Sequence, residues 1–400
     1  MNNLNIVETC EVCKNKSLTP VLDLGLHPIC DDLIPIGSAR INDEFPIKIH
    51  YCEKCYTAQH VYQIPKKLLF PSTYHYRARF TVDVIDGMKS LVNSIETKFC
   101  SLDGKKVLDI GCNDGSLLNL FREKGAITYG IEPTDAYLDT IGNGHNIIHN
   151  YFNTDVAESL PKPDIITFTN VFAHIEDLSG LLDALKILMT KDTLLVIENH
   201  YLGGVLDRNQ FDTFYHEHPR TYSLNSFVHI AKNLGREVLS VEFPSRYGGN
   251  IRVVIGNDTN QKNPAELINN VISNESNFLN KFELMNVFIN KWKIEKKKEI
   301  LNYINENGKI EAKALPARAA IPLKIIGLNE EHIKCIYEKP GSMKIGNYVP
   351  STRIPIVSDD ELICDISNKI GLLNNAWHIS TEIENYLRKL GFKGKLINII

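Results

Sequence analysis

Between residues 105 and 200, short apolar runs alternate with stretches of helical period: KKVLDI, LLNLFREKG, ITYGIE, a further helix, DIITFTNV, LSGLLDALKILMT and TLLVIEN. Strands that are apolar at nearly every position are covered on both faces, so this alternation predicts a largely parallel sheet between layers of helix. Residues 236–257, REVLSVEFPSRYGGNIRVVIGN, carry two more strand runs around a glycine-bearing loop and predict a late antiparallel closure of the same sheet.

The flanks differ in period. Residues 1–65 hold only short strand-like runs, LTPVLDL, FPIKIHYC and TAQHVYQI, too little apolar material for a core of their own. A Pro-punctuated loop then leads into a helix with Val84, Ile85, Met88, Leu91, Val92 and Ile95 on one face. Beyond the sheet, residues 258–305 read as amphipathic connecting helices whose lysines around 291–298 form a solvated face. The last hundred residues offer strand candidates AAIPLKIIGL and HIKCIYE, a Pro/Gly-rich loop, a helix over about 368–389 and a terminal strand GKLINII, which predict a second, smaller α/β domain. The expected divisions are 1–65, 66–99, 100–257, 258–305 and 306–400.

Composition narrows the function classes. The chain has 400 residues, 43% of them hydrophobic, and a net charge of −4, so it can build several domains but has no global basic field for a nucleic-acid backbone. It has no apolar run long enough to span a bilayer, and MNNLNIVETCEVCKNK lacks the apolar centre of a secretory signal. A cytoplasmic protein, monomeric or weakly self-associating and away from membranes, is expected.

Four of the nine cysteines form two tight pairs, Cys10/Cys13 in CEVC and Cys52/Cys55 in CEKC. Two such turns facing one another give four thiolates around tetrahedral Zn²⁺ with no open position, hence a structural metal. Another sulfur-ligated centre or a redox pair is the alternative. Cys30, Cys100, Cys112, Cys335 and Cys364 are scattered and read as small core residues.

DIGCNDGSLL, residues 109–118, lies between strand and helix, where glycines allow a tight turn and close approach of a ligand to backbone. Asn113 stands where a full pyrophosphate fingerprint has glycine. S-adenosylmethionine has no pyrophosphate, and its amino-acid end can meet Asp109, Gly111, Asn113, Asp114 and Gly115. Glu132, followed by Pro133, ends ITYGIE where a carboxylate can accept from ribose hydroxyls, and Asn170 and Val171 end the next strand at the crevice edge. Another nucleotide cofactor, or a structural acid with no ligand, fits the same spacing.

These motifs occur with the aromatic loop STYHYRA at 72–78, GIEP at 130–133, NVFAHIED at 170–177, FDTFYHEHPRTYSL at 211–224, RYGGNIRV at 246–253, and the blocks KIGNYVPSTRIPI and AWHISTEI. In this order the chain resembles, over nearly its whole length, the bacterial C-methyltransferases of nucleoside-diphosphate-linked keto-deoxysugars. The resemblance implies an N-terminal zinc-binding domain, a central Rossmann-like S-adenosylmethionine domain and a C-terminal Rossmann-like α/β domain enclosing the sugar nucleotide. It implies cofactor roles for Gly111, Asn113, Asp114, Glu132, Asn170 and His174. The YxEH signature is Tyr215-His216-Glu217-His218, which gives His218 the role of base, with Glu217, Tyr215 and Tyr74 or Tyr76 beside the sugar. In RYGGNIRV, Arg246 and Arg252 are candidates for anionic groups, with Tyr247, Gly248 and Asn250 between them. The pattern departs from the family at AKALPARAAIPL, residues 312–323, where a glycine-rich turn is usual, and at Ser351.

The chemistry suits such residues. An aliphatic carbon has no lone pair and attacks a sulfonium methyl only as a carbanion, which a neighbouring ketone stabilises as an enolate. That requires a base at the α C–H, donors at the ketone oxygen and an aligned methyl. A histidine accepts the proton near neutral pH and a tyrosine hydroxyl donates without adding charge. A C3 acceptor beside a 4-keto group is what the resemblance implies. A sugar O-methyltransferase, or a noncatalytic nucleotide-sugar-binding protein, is the competing reading.

Overall fold

The computed structural model describes residues 4–70, 77–257 and 265–400. They fall into two compact units, one made of Met1–Pro20, His50–Arg208 and Glu217–Asn280, the other of Val21–Ile49, Asn209–His216 and Lys281–Ile400.

The first unit is built on a seven-stranded sheet of β1 (Lys106–Ile110), β2 (Ile127–Ile131), β3 (Asn146–Ile148), β4 (Ile165–Thr169), β5 (Leu194–His200), β6 (Glu237–Glu242) and β7 (Asn250–Gly256). Its spatial order is 3-2-1-4-5-7-6. The first five strands are parallel, and β7 inserts antiparallel between β5 and β6, giving the late closure expected from residues 236–257. Alternate residues face opposite layers. Val107, Ile165, Val196 and Val254 pack against α1 (Val82–Lys98) and α2 (Ser116–Glu123). Leu108, Ile110, Phe168, Leu195 and Ile197 pack on the other face with α4 (Leu178–Leu188) and α6 (Leu224–Asn233), while α3 (Thr154–Ser159) and α5 (Leu202–Asp207) are short. The order reverses between β1 and β4, which opens a ligand crevice outside the carboxyl ends of the strands.

The second unit has a parallel five-stranded sheet of β8 (Ile310–Lys313), β9 (Ile333–Glu338), β10 (Ile356–Ser358), β11 (Gly371–Asn374) and β12 (Lys395–Asn398), ordered 10-9-8-11-12. It is a second doubly wound arrangement. Two local expectations fail here. AAIPLKIIGL is not a strand but the helix Ala320–Ile326, ended by Gly327 at φ 79°, and the strand is the preceding IEAK. A short apolar run suits either element, and the left-handed glycine after Ile326 is the helix stop that decides it. The helix drawn over 368–389 begins only at Ser380, because Gly371–Asn374 joins the sheet beside β8. Phe278–Asn307 is one long helix, with Phe282, Met285, Ile289 and Trp292 buried on one stripe and Lys291, Lys297 and Lys298 exposed. Cys364, expected in a core, is exposed at the end of the short helix Asp359–Ile363.

Candidate active site and metal centre

The two cysteine pairs close on one another in the first unit. The sulfur atoms of Cys10, Cys13, Cys52 and Cys55 all lie within 4.8 Å of one another, with Cys10–Cys55 at 3.4 Å and Cys13–Cys52 at 3.5 Å. Tetrahedral Zn²⁺ at about 2.3 Å from each sulfur separates thiolates by about 3.8 Å, so the set fits the metal. Each pair is bent by the same local device. Lys14 and Tyr56, one residue past each pair, take left-handed conformations of φ 59° and 60°, and their amides donate to Cys10 O at 2.8 Å and Cys52 O at 2.7 Å. None of the four is in a disulfide.

The knuckles are tied into the domain of the seven-stranded sheet. Thr57 Oγ1 lies 2.7 Å from Ser226 Oγ, and Ser223 donates to Cys55 O at 3.2 Å, at the amino end of α6. Strand Thr57–His60 pairs with Arg220–Thr221, and the His60 amide donates to Pro219 O at 2.9 Å. Arg220, fully buried, donates to Glu11 at 2.6 Å and to the Tyr222 hydroxyl at 3.0 Å. The metal-bearing turns therefore brace the residues directly after His218.

At the crevice, β1 runs into the turn 111–115. Gly111 has φ 74°, and a Cβ there would fall 2.6 Å from Val171, so only glycine lets this turn lie against the end of β4. Asn113 holds φ 51°; its side-chain oxygen accepts from the Ala78 amide at 3.0 Å, and Asp114 accepts from the Arg79 amide at 2.9 Å. The chain leaving the aromatic loop thus lands on this turn. Tyr74 and Tyr76 themselves lie outside the described residues. Gly115, at φ 75°, precedes α2.

Glu132, buried at the end of β2, accepts from the Asn113 amide at 2.9 Å, the Thr134 amide at 2.9 Å and the Thr134 hydroxyl at 2.6 Å. Pro133 follows, half-buried, its carbonyl 3.1 Å from the His149 ring. A carboxylate has about four acceptor sites, so Glu132 keeps room for a ribose hydroxyl, and the rotatable Thr134 hydroxyl can yield another. Asp109 on β1 accepts from Thr167 at 2.6 Å; burial pushes its carboxyl up to about 7, with the charge of Glu132 adding to the rise. Asn170, with φ 55°, bends the chain at the end of β4 and donates through its amide to Glu198 O at 2.7 Å.

Three histidine rings come together at this edge. His218, 3% exposed, lies with its ring centroid 4.8 Å from His174 and 5.0 Å from His200. His174 Nδ1 is 2.7 Å from Glu217 O, and loss of water around the ring pushes its pKa down to about 4. Glu217 is buried in the same unit. Tyr215 is half-buried and belongs to the second unit, so the YHEH motif is divided between His216 and Glu217.

Arg246 and Arg252 converge on a carboxylate that the sequence reading passed over. Glu198, fully buried on β5, accepts from Arg246 Nη1 at 3.1 Å, Asn250 Nδ2 at 3.2 Å and Arg252 Nε at 2.8 Å. Asn250 also reaches Asn170 Oδ1 at 3.3 Å, and Arg252 continues to Glu242 at 2.8 Å. Both arginines thus brace the sheet edge from within. Tyr247 sits with Gly248 in the turn Arg246–Gly248, and Gly248 is left-handed at φ 82°. Glu198 and His200 were both findable: each lies in the last three residues of the strand LLVIENH, the strand-end rule that singled out Glu132.

If Glu132 accepts from the cofactor's ribose, Glu132→Ala should weaken S-adenosylmethionine binding by about 10–100-fold, the range of one or two charge-assisted hydrogen bonds. Calorimetric titration checks this, with unfolding curves as a control because the same carboxylate holds the Asn113 and Thr134 amides. Unchanged affinity in folded protein would place the ribose elsewhere.

Family models match the chain in three successive stretches: a zinc binding domain at residues 10–70, a methyltransferase domain at 83–241 and a C-methyltransferase C-terminal domain at 245–400. The chain is 26% identical over 404 residues to the C-methyltransferase NovU of Streptomyces niveus, covering 94% of this chain and 91% of that protein. It is 32% identical over 118 residues to a ubiquinone biosynthesis O-methyltransferase of Haemophilus ducreyi, a match of 26% of this chain and 49% of the relative. Among solved structures, magnesium protoporphyrin IX methyltransferase from Synechocystis PCC 6803 with bound SAH aligns at a TM-score of 0.36 and 17% identity, over 44% of this chain and 84% of that one. Among the described residues no helix is long and apolar enough to cross a membrane. With its methyltransferase domain set between a zinc-binding domain and a C-methyltransferase C-terminal domain, the chain is an S-adenosylmethionine-dependent methyltransferase, similar along nearly its full length to a C-methyltransferase.

Proposed function

We propose that the acceptor is a nucleoside-diphosphate-linked keto-deoxysugar, methylated at C3 beside a 4-keto group through an enolate, in the cytoplasm and by a monomer or weak homo-oligomer. The observation that carries this reading is the buried His218, packed among imidazoles at the carboxyl edge of the central sheet, in a chain similar to a C-methyltransferase from end to end.

S-adenosylmethionine supplies an electrophilic sulfonium methyl when bound, and Asp109, Gly111, Asn113, Asp114, Gly115, Glu132, Pro133, Asn170, Val171 and His174 are the residues assigned to hold it. His218 takes the α proton of the sugar ketone. Glu217 accepts from and so orients His218 or a sugar hydroxyl, and Tyr215, with Tyr74 or Tyr76, forms the polar wall whose hydroxyls donate to the sugar oxygens. Tyr247 and Gly248, just before β7, and Asn250, its first residue, are assigned to the sugar, and Arg246 and Arg252 act on it through the buried Glu198 cluster. The nucleotide falls to the C-terminal α/β domain, 306–400, and the zinc domain, 1–65, is structural.

The test uses a thymidine-diphosphate-linked 4-keto-6-deoxyhexose carrying deuterium at C3. Enzyme-dependent washout of the deuterium, followed by a product with a new carbon–carbon bond in NMR and mass spectra, is the expected result. A product methylated on oxygen, with C3 deuterium retained, would overturn the carbon-transfer reading.

A further inference from the structure

We propose that His200 is the residue through which His218 discharges its proton to solvent. The inference rests on the carbon-methylation reading above and adds to it a residue and a step.

Each turnover breaks one C–H bond of the sugar and forms one C–CH₃ bond, while a sulfonium cation becomes a neutral thioether. The balance is one proton released per methyl transferred. That proton begins on His218, a side chain 3% exposed, and has to leave before the ring can act as base again. A buried imidazolium with no exit returns its proton to the enolate, because reprotonation of carbon is the reverse of the step that formed it.

Among the described residues, two rings adjoin His218. His174 is a poor acceptor: its Nδ1 is committed to the Glu217 carbonyl at 2.7 Å, and desolvation makes its cation costly. His200 is the other, 5.0 Å away between ring centroids and tilted by 49°. That spacing is within the span of a hydrogen bond or one bridging water between ring nitrogens. His200 is the last residue of β5, in register with Asn250 of β7, and is only partly buried. It therefore joins the buried base to the crevice mouth. An imidazole in this place accepts on one nitrogen and gives up the proton from the other without moving the base itself.

His200→Gln keeps a hydrogen-bonding side chain and removes the basicity. Using the 4-keto sugar nucleotide on which wild-type enzyme turns over, steady-state methylation should fall about tenfold or more, while a single turnover with enzyme in excess should run near the wild-type rate. Deuterium washout in the absence of the methyl donor should slow with the steady state, as the deuteron returns to C3, and added imidazole should restore both. Steady-state and washout rates equal to wild type would overturn the relay. A single-turnover rate that falls in parallel, untouched by imidazole, would also overturn it, because His200 would then act on substrate or on the fold. Failure of the underlying reading is recognisable in wild type alone, as an O-methylated product without washout, and takes the relay with it.

Discussion

His218→Ala should lose methyl transfer by about 10²–10⁴-fold, the usual worth of a positioned general base, and should lose deuterium washout from the keto-sugar in the same proportion. The substitution removes the ring whose centroid lies 4.8 Å from that of His174 and 5.0 Å from that of His200. Cofactor affinity should be largely kept, because the Gly111 turn and Glu132 hold their geometry through backbone amides and not through His218. The experiment compares NMR washout, product formation by mass spectrometry and calorimetric binding of S-adenosylmethionine on protein whose circular dichroism matches wild type. Near-wild-type washout in that folded variant would remove His218 from the role of base. Glu217→Gln tests less, since a change in orientation or in sugar binding produces the same loss.

Removing the metal should be the second large effect, and it should reach the active site. Elemental analysis is expected to find one zinc per chain, and both chelation and Cys52→Ser should release it. Structural zinc contributes on the order of 10–16 kcal/mol in small cysteine domains, and residues 1–65 have little apolar core with which to replace it. Losing the Cys10/Cys13 and Cys52/Cys55 turns frees strand Thr57–His60, whose pairing with Arg220–Thr221 fixes the chain two residues beyond His218. Glu11 then no longer neutralises the buried Arg220, and an unpaired buried charge costs several kcal/mol in its own right. Limited proteolysis should cut the N-terminal segment in the metal-free protein, and methyl transfer should fall with the zinc content. A metal-free protein with wild-type turnover and an unchanged digestion pattern would reject the structural assignment.

The central sheet was legible because its physics is local. Nearly continuous apolar runs such as VLDI, IITF and LLVI report burial on both faces, and the helical periods between them leave a parallel sheet as the consistent solution. The failures came where local signals are weak. AIPLKII suits strand or helix by apolarity, and the short strands Asn146–Ile148 and Gly371–Asn374 carry too few residues for a period and exist because a neighbouring strand offers its backbone groups.

By itself the sequence determined the chemistry available: two cysteine pairs, a glycine-bearing turn between strand and helix, a carboxylate twenty residues on, and a YHEH segment with two histidines. These are properties of residue type and short spacing, fixed before any folding. Only the tertiary structure decided which of them meet. It set Glu198 between Arg246, Arg252 and Asn250, residues 48 to 54 positions away in the chain, because antiparallel insertion of β7 puts Arg252 opposite Glu198. It brought His174, His200 and His218 into ring contact from three separate segments, and it braced His218 with a zinc module encoded more than 150 residues earlier. Such pairings depend on strand order and register, which no single stretch of chain encodes, since a one-residue shift in register would turn Glu198 to the opposite face.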